Sequence, residues 1–201
     1  MIEIVNASFL TSAPDITHAP ENDRCNEVAF LARSNTGKSS LLNALTNHKG
    51  LAKVSATPGK TRLINYFDVT FMDRETSEKS TALFVDLPGF GYAKVSKSIQ
   101  SDWEKNLTGF IAKRSQIKLF IHLVDARHPD LEIDRSVREH LEQIVTPEQH
   151  ILRIYTKIDK LNQKELSALR RQDPGALMVS NTKKRGISAL IQTIYSLLNE
   201  A

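Results

Sequence analysis

The stretch that most constrains the fold of this chain is A-R-S-N-T-G-K-S, from Ala32 to Ser39. It follows the apolar run Val28–Leu31, which is typical of a buried strand, and it precedes Leu41–Leu45, which has the apolar spacing of a helix. Apart from alanine in the first position, the stretch fits G-x-x-x-x-G-K-[ST], the pattern of a phosphate-binding loop between a strand and a helix. The sequence therefore predicts a strand, a phosphate-binding loop and a helix in succession.

The chemistry of such a loop depends on its backbone as much as on its side chains. Backbone N–H groups converge on phosphate oxygens, and the positive end of the following helix adds to their field. Lys38 is expected to bridge the β- and γ-phosphates, and the Ser39 hydroxyl to ligate Mg²⁺. Because about 7% of residues in proteins are glycine, a bare G-K-[ST] occurs by chance in roughly one chain in ten of this length. The loop therefore needs supporting motifs elsewhere in the chain.

Composition excludes several other classes of protein. The chain of 201 residues fits one globular domain, with 40% hydrophobic and 25% charged residues. No apolar run approaches the roughly 20 residues that span a bilayer, and the N-terminus lacks the pattern of a signal peptide. The single cysteine, Cys25, excludes an intrachain disulfide and a multi-cysteine metal cluster. A cytoplasmic protein is the default expectation, and the net charge of +4 permits an RNA partner without requiring one.

Strand and helix patterns alternate from Asn26 onward. The alternation predicts a three-layer α/β fold with a mostly parallel six-stranded sheet and one antiparallel edge strand. Residues 1–25 are predicted to be a lead-in across the surface of the domain, and residues 26–201 a single domain. The predicted strands are Val28–Leu31, Leu63–Phe71, Ala82–Asp86, Lys118–Asp125, His150–Thr156 and Ala176–Val179. The predicted helices are Lys38–Asn47, Ser98–Arg114, Pro129–Ile144, Lys164–Arg171 and Gly186–Asn199.

A second motif, Asp86-Leu87-Pro88-Gly89, directly follows a predicted strand. The aspartate can hold Mg²⁺ through a water molecule, and the N–H of Gly89 can reach a γ-phosphate because glycine lets the backbone come close. The alternative is an ordinary turn at the end of a strand, since Asp, Pro and Gly all favour turns. Its place after a phosphate loop favours the nucleotide-binding interpretation.

A third motif, Thr156-Lys157-Ile158-Asp159, follows the strand His150–Thr156. It matches the guanine-recognition pattern in its T-K-x-D form, in which the carboxylate of Asp159 accepts N–H groups from N1 and N2 of guanine and the stem of Lys157 lies against the base. Threonine replaces the usual asparagine, which we expect to weaken one supporting hydrogen bond. The alternative is a helix-capping turn with solvated charges. Val179, Ser180 and Asn181 end the last strand, where a backbone N–H could meet the guanine O6.

The loop between the first helix and the second strand contains T-P-G-K-T, residues 57–61. A threonine in such a loop can ligate Mg²⁺ and sense the γ-phosphate. Thr57 and Thr61 both qualify by position, and we favour Thr61 as the ligand.

The chain resembles the EngB (YihA/YsxC) GTPases of the bacterial TrmE–Era–EngA–EngB group. The resemblance is carried by four motifs in this order: A-R-S-N-T-G-K-S-S, T-P-G-K-T, D-L-P-G-F-G-Y and T-K-I-D. The resemblance covers about residues 24–199. It implies a Ras-like P-loop GTPase fold, binding of GTP or GDP with Mg²⁺, and a partner in the precursor of the large ribosomal subunit, with its rRNA and ribosomal proteins. It also implies a need in cell division and septation, and we expect a monomer without a membrane role. The departures are Ala32 and a longer hairpin turn around Asp73–Ser80.

The motifs together predict a nucleotide site with Ser39 and Thr61 as metal ligands. Its predicted residues are Ala32, Arg33, Ser34, Asn35, Thr36, Gly37, Lys38, Ser39, Ser40, Gly59, Lys60, Thr61, Arg62, Leu63, Asp86, Leu87, Pro88, Gly89, Thr156, Lys157, Ile158, Asp159, Val179, Ser180 and Asn181.

Hydrolysis is expected to be slow. Ras-like enzymes place a water-orienting glutamine after D-x-x-G, and here that position is Phe90. No residue declares itself as an arginine finger, because Arg33 and Arg62 lie near the site but could be ordinary surface charges. Asn35 occupies the loop position that coordinates potassium in relatives of this group, so K⁺ could supply the positive charge that an arginine finger would.

Three functions remain open at this stage: a GTPase switch on a pre-ribosomal particle, a GTPase acting on a protein partner in division or signalling without RNA, and a P-loop kinase. T-K-I-D argues against the kinase because it selects the base rather than a phosphoryl acceptor. Basic and aromatic residues could form an RNA surface or an ordinary solvated face. They are Tyr92, Lys94, Lys97, Trp103, Lys105, Lys113, Arg114, Lys118, Lys183, Lys184 and Arg185.

Overall fold

The computed structural model describes residues 1–22, 26–52, 63–90, 108–111 and 113–200. Its strands are β1 (Ile2–Ala13), β2 (Asn26–Ala32), β3 (Ile64–Asp73), β4 (Lys79–Asp86), β5 (Ile117–Asp125), β6 (His150–Thr156) and β7 (Leu177–Met178). Its α-helices, besides the helical residues 108–111 and 113, are α1 (Lys38–Leu45), α2 (Glu132–Ile144), α3 (Gln163–Gln172) and α4 (Ile187–Asn199). Short 3₁₀ helices span Ile16–His18 and Ile158–Lys160.

Within the described residues, the strands form one seven-stranded sheet in the order β1-β3-β4-β2-β5-β6-β7. The β2–β4, β2–β5, β5–β6 and β6–β7 pairs are parallel, whereas β3 pairs antiparallel with both β4 and β1. The predicted α/β class and mostly parallel sheet are confirmed. The predicted strand number and the edge position of the antiparallel strand were wrong, because β1 lies outside β3.

The additional strand comes from the segment predicted to be a lead-in. Ile2–Ala13 pairs with β3 along its length, and the register shifts at Val5 and again at Leu10. Each shift is a β-bulge, which inserts an extra residue and moves the following side chains to the other face. The apolar alternation that reveals a strand is therefore broken in the sequence, although Ile2, Ile4 and Ala7 pack against the same core cluster.

The sheet separates two hydrophobic cores, because successive side chains of a strand point to opposite faces. On one face, Val28 and Phe30 pack with α1 and α4. On the other, Ala29 and Leu31 pack with α2 and with the helical residues near Phe110. A smaller cluster holds α3 against the ends of β5 and β6. The three-layer architecture brings the ends of β2, β4, β5 and β6 to one edge of the sheet, where ligands bind in such folds.

One basic residue assigned to the predicted RNA surface is buried. Arg114 donates to the fully buried Glu27 through Nε at 2.9 Å and Nη2 at 2.7 Å, and Nη2 also donates to the carbonyl of Pro20 at 2.8 Å. The Arg114 guanidinium also lies 5.4 Å from the ring centroid of Tyr66, whose pKa burial raises to about 12. Both alternatives for Arg114, an RNA surface and a solvated face, were therefore wrong, because its guanidinium is directed into the core. Tyr92, Lys94, Lys97, Trp103 and Lys105 lie outside the described residues.

No helix among the described residues is both long enough and apolar enough to cross a membrane.

Candidate functional site

The loop between β2 and α1 has the backbone of a tight strand-to-helix turn. Asn35 adopts a φ of 65° and Gly37 a φ of 101°, so both lie in the left-handed region, and Gly37 directly precedes the first residue of α1. The N–H of Leu41 bonds the carbonyl of Gly37 at 2.9 Å. A side chain at position 37 is disfavoured by this φ, which glycine adopts without steric cost. The first N–H groups of α1 have no acceptor within the helix and are available to a ligand at this turn.

The segment after β4 is bonded to this loop. The N–H of Ser34 donates to the carbonyl of Phe90 at 3.0 Å, and the N–H of Phe90 donates to the carbonyl of Ala32 at 3.1 Å. Gly89 lies so close to the loop that a Cβ added there would be 3.1 Å from Ser34 Oγ. The D-L-P-G motif and the loop therefore form one surface.

Lys38 and Asp86 place a cation and a carboxylate on that surface. The ammonium of Lys38 bonds the carboxylate of Asp86 and donates to the carbonyl of Leu87 at 2.7 Å. Asn65 on β3 lies 3.5 Å from the other carboxylate oxygen of Asp86. Ser39 follows in the first turn of α1. Its hydroxyl and the Asp86 carboxylate are hard oxygen donors, the chemistry that suits Mg²⁺.

The same loop is bonded by three side chains, two from the T-K-I-D segment and one from the segment after β7. The hydroxyl of Thr156 donates to the carbonyl of Thr36 at 2.7 Å, and the ammonium of Lys157 donates to the carbonyl of Asn35. Asn181 donates through Nδ2 to the carbonyl of Gly37 at 3.2 Å. Three consecutive carbonyls of the loop thus accept bonds from T-K-I-D and from the segment after β7. The hydroxyl of Thr156 makes a short bond here, and the expectation that threonine weakens a supporting bond relative to asparagine stays a prediction.

The carboxylate of Asp159 is oriented by Ser180. The hydroxyl of Ser180 donates to Asp159 Oδ1 at 2.6 Å. That hydrogen bond, together with the nearby Lys160, holds the pKa of Asp159 below its ordinary value. The N–H of Ile158 donates to the carbonyl of Val179 at 3.4 Å, which joins the two segments by their backbones. An ionised carboxylate with a fixed orientation is what bidentate recognition of guanine needs.

Asp125 at the end of β5 is a site residue that the sequence motifs did not identify. Its carboxylate accepts a bond from Lys157 Nζ at 2.9 Å and a pair of bonds from Arg127, at 2.9 and 2.7 Å. Burial opposes ionisation, but these hydrogen bonds outweigh it and hold the pKa of Asp125 well below its usual range. Asp125 therefore positions the Lys157 side chain. The sequence signal that could have identified Asp125 is a charged residue at the end of a buried apolar strand.

Two further residues bear on hydrolysis. The side chain of Phe90 is buried, and its ring lies 6.1 Å from the ring of the buried His122. Arg33 is partly buried, with Nε 3.6 Å from the carboxylate of Asp134 on α2. Neither alternative weighed for Arg33, an arginine finger or an ordinary surface charge, describes this side chain. It is directed toward α2 instead.

Several polar atoms at the site are buried without a hydrogen-bond partner among the described residues. They are Ser34 Oγ, Thr36 Oγ1 and Asn181 Oδ1. Buried polar atoms are nearly always bonded to protein, water or a ligand. Their position on the loop and beside Gly37 fits a polar molecule with several donors and acceptors, such as a nucleotide.

The remaining predicted residues are placed as follows. Ser40 lies within α1, Pro88 lies between Leu87 and Gly89, and Leu63 is exposed just before β3. Thr57, Gly59, Lys60, Thr61 and Arg62 lie outside the described residues. The structure thus brings together the loop, the D-L-P-G segment, the T-K-I-D segment and the end of the last strand.

Comparison with protein families and curated proteins gives a consistent result. A family described as "50S ribosome-binding GTPase" matches residues 27–157. A protein of Aliarcobacter butzleri described as "Probable GTP-binding protein EngB" is 53% identical over 196 residues, covering 97% of this chain and 98% of that protein. Proteins with the same description from Campylobacter jejuni subsp. doylei and Helicobacter hepaticus are 50% and 47% identical, covering 96% and 100% of this chain and 96% and 87% of those proteins.

Solved structures show the same fold at lower identity. The crystal structure of a probable GTP-binding protein engB matches with a TM-score of 0.64 and 21% identity, covering 87% of this chain and all of that one. Era in complex with MgGDPNP and nucleotides 1506–1542 of 16S ribosomal RNA matches with a TM-score of 0.62 and 20% identity, covering 90% of this chain and 59% of that one.

Proposed function

Because the chain belongs to the EngB family of GTP-binding proteins, we propose that it is a slow, Mg²⁺-dependent GTPase switch acting in assembly of the large ribosomal subunit. GTP binding and hydrolysis are activities of its family. The single observation that supports the site most strongly is the set of three bonds from Thr156, Lys157 and Asn181 to consecutive carbonyls of the phosphate loop. These bonds fix the guanine-recognition segments relative to the phosphate-binding segment.

Guanine selection would come from Asp159. Its carboxylate accepts two N–H groups of guanine, which adenine cannot offer, and Ser180 and Lys160 favour the ionised form. Lys157, bonded to Asp125 and to the loop, lays its aliphatic stem where a base plane can rest on it. Losing such a bidentate contact costs about 1–3 kcal/mol in discrimination between bases.

The phosphate end would be held by Lys38, the loop N–H groups and Mg²⁺. Lys38 is within bonding distance of Asp86 and Leu87, so its ammonium already lies at the junction of the loop and the D-L-P-G segment. We assign Ser39 as a direct ligand of Mg²⁺, Asp86 as a ligand through water, and Thr61 as the ligand supplied by the loop before β3. The ion, when bound, neutralises charge that develops on the phosphate oxygens.

Slow hydrolysis follows from what surrounds the γ-phosphate position. Phe90 is buried against His122 and carries no group that could orient water. Arg33 is directed toward Asp134 rather than toward the loop surface. We propose that K⁺ near the exposed Asn35 supplies part of the missing positive charge. GTP turnover measured in matched KCl and NaCl tests this, and equal rates in the two salts would remove the role of potassium.

The ribosomal role is supported by the descriptions of similar proteins. The matching family is described as ribosome-binding, and Era was solved with ribosomal RNA. We propose that the triphosphate form docks on the precursor of the large subunit, contacting rRNA and ribosomal proteins in the cytoplasm, and that failure of this step impairs cell division and septation. We further propose that residues 26–201, completed by the edge strand β1, form the GTPase domain and that it acts as a monomer.

Co-sedimentation with purified large ribosomal subunits tests this function. Subunits are incubated with the protein and either GDPNP or GDP, and stronger retention with GDPNP is expected. If the protein is absent from the subunit fraction with GDPNP and with GDP, a ribosomal role is contradicted. That result would favour the alternative, a GTPase acting on a protein partner in division or signalling. If ATP competes with a bound guanine nucleotide as effectively as GTP does, the proposed guanine-specific switch is contradicted.

A further inference from the structure

A group of exposed basic residues lies beside the guanine-recognition segments. We call it the basic turn patch, and it consists of His48, Lys49, Lys183, Lys184 and Arg185. The ammonium of Lys184 donates to Asn47 Oδ1 at 3.2 Å, which joins the turn after β7 to the end of α1. Neither residues 28–52 nor residues 174–199 contain an aspartate or glutamate. The two segments therefore present positive charge without a carboxylate of their own to neutralise it.

The turn that carries three of these charges is closed by hydrogen bonds. Ser180 and Arg185 exchange backbone bonds, at 3.0 and 3.1 Å, and the N–H of Lys183 donates to Ser180 Oγ at 3.1 Å. Gly186 follows with a φ of 77°, and a Cβ there would lie 2.3 Å from the carbonyl of Met178. The basic side chains are thus displayed from a fixed backbone, so little backbone entropy is lost when a partner binds.

Ser180 connects the patch to the guanine site. The oxygen that accepts from the N–H of Lys183 belongs to the same hydroxyl that donates to Asp159 Oδ1 at 2.6 Å. The next residue, Asn181, bonds the carbonyl of Gly37. A change in the orientation of the Asp159 carboxylate must therefore be accommodated in the turn, and the reverse is equally true because coupling between two sites is reciprocal.

We propose that the basic turn patch binds RNA phosphates and that guanine nucleotide, as GDP or GTP alike, strengthens this binding through Ser180. The proposal rests on the proposed ribosomal function and names a surface for it. Phosphate groups fit because four of the five side chains of the patch are lysine or arginine and none is acidic. Binding through phosphates does not depend on base sequence. GDP and GTP act alike at the patch because the connection starts at Asp159, which recognises the base. The stronger docking of the triphosphate form is therefore assigned to the γ-phosphate end of the site and not to this patch.

The charge part of the proposal is tested with Lys183→Gln/Lys184→Gln/Arg185→Gln. The matched control is Lys164→Gln/Arg170→Gln/Arg171→Gln, which removes the same charge from exposed positions of α3. Binding of a fluorescein-labelled RNA hairpin is followed by anisotropy over a range of KCl concentrations.

The variant with the three substitutions at positions 183–185, the turn variant, is expected to lower the slope of log affinity against log salt by about 2–3, because each phosphate contact contributes about 0.7–0.9. The control is expected to keep the wild-type slope. Equal slopes in the two variants would overturn the proposal.

The coupling part is tested by measuring the same RNA affinity without nucleotide, with GDP and with GDPNP. Both nucleotides are expected to raise the affinity by a similar factor of about 5 or more. Ser180→Ala, which keeps every charge of the patch, is expected to abolish this difference. A strengthening seen with GDPNP alone would overturn the connection through Ser180, since it would require a γ-phosphate sensor.

Large-subunit co-sedimentation separates this proposal from the proposed function. If the wild type binds subunits and the turn variant binds as well as its control, the patch proposal fails and the ribosomal function stands. If the turn variant loses subunit binding but wild-type protein does not bind the RNA hairpin, the patch contacts ribosomal protein and the RNA proposal is overturned. If the wild type binds the hairpin with the expected slope but no subunits, the ribosomal function fails and the RNA surface stands. Unchanged GDP affinity of the turn variant without RNA shows that its nucleotide site is intact.

Discussion

The hydroxyl of Thr156, at the end of β6, donates a hydrogen bond to the carbonyl of Thr36 in the phosphate loop at 2.7 Å, and both residues are buried. The carbonyl of Val124 lies farther from the same hydroxyl, at 3.3 Å, so the single proton is best placed toward Thr36. This bond connects two segments 120 residues apart in the chain. Threonine thereby links the two segments proposed for base recognition and phosphate binding, at a position where the sequence pattern usually has asparagine.

Replacement of Thr156 by valine is expected to lower the free energy of unfolding by about 1–3 kcal/mol, because the buried carbonyl of Thr36 loses its donor while the volume is preserved. GDP affinity is expected to fall as well, since the base-recognition segment is no longer fixed to the loop. Urea denaturation and fluorescent GDP titration measure the two effects. Thr193→Val on α4 is the control, because its exposed hydroxyl donates to the carbonyl of Ala189 in its own helix. A Thr156→Val protein as stable as this control would contradict the importance of the bond.

Asp159→Asn is expected to weaken GTP binding by about 10-fold or more and to shift preference toward xanthine nucleotides. The amide keeps one acceptor but gains donors that face the N–H groups of guanine, whereas xanthine offers a carbonyl in place of the 2-amino group. Competition of GTP, XTP and ATP against a fluorescent nucleotide measures the change. Asp130→Asn, exposed and bonded to Gln172, is the matched control. Retention of guanine preference by Asp159→Asn would exclude Asp159 as the base-reading residue.

Asp125 makes stability depend on pH in the acid range. Its pKa is lower in the folded protein than in the unfolded chain, so its contribution is complete above the unfolded value near 3.9 and is lost as pH falls toward the folded value. We expect Asp125→Asn to lower the free energy of unfolding at pH 7 by about 1–3 kcal/mol and to flatten its decrease below about pH 5.

Urea denaturation at several pH values between about 3 and 7 measures this effect. Asp68→Asn, exposed on β3, controls for the loss of one negative charge. If Asp125→Asn loses as much stability in acid as the wild type, Lys157 and Arg127 do not hold the carboxylate in the ionised form.

Arg114→Met is expected to lower the free energy of unfolding by about 3–5 kcal/mol, because Glu27 is left as an unpaired charge in the core. Asn22 still donates to Glu27 at 2.7 Å, but one neutral amide does not replace a guanidinium. The double variant Arg114→Met/Glu27→Gln is expected to recover part of the loss, since the buried charge is removed. Arg138→Met, which breaks an exposed pair with Glu142, is the control and is expected to change stability little. The single variant Glu27→Gln completes the double-mutant cycle. If the changes in the free energy of unfolding of the two single variants add up to that of the double variant, the two side chains do not interact.

Local patterns were sufficient to predict much of this molecule. The apolar runs and the G-K-S signal located β2, α1 and the loop between them, because strand, turn and helix preferences are set by neighbouring residues. D-L-P-G and T-K-I-D were located correctly at the ends of β4 and β6 for the same reason. The strand β1 was missed because the bulges at Val5 and Leu10 break its alternation, and a strand is then recognisable only by its pairing with β3.

The α/β class and the chemical types at the candidate site could be predicted from the amino-acid sequence, since both depend on local periodicity and on motifs of a few residues. Which of these residues act together depends on the folded arrangement. It paired Thr156 with Thr36, Lys157 with Asp125 and Ser180 with Asp159, and it placed Arg114 inside the core rather than on a surface. Hydrogen bonds and burial depend on distances in space, and residues 21 to 120 positions apart become neighbours only when the sheet is assembled.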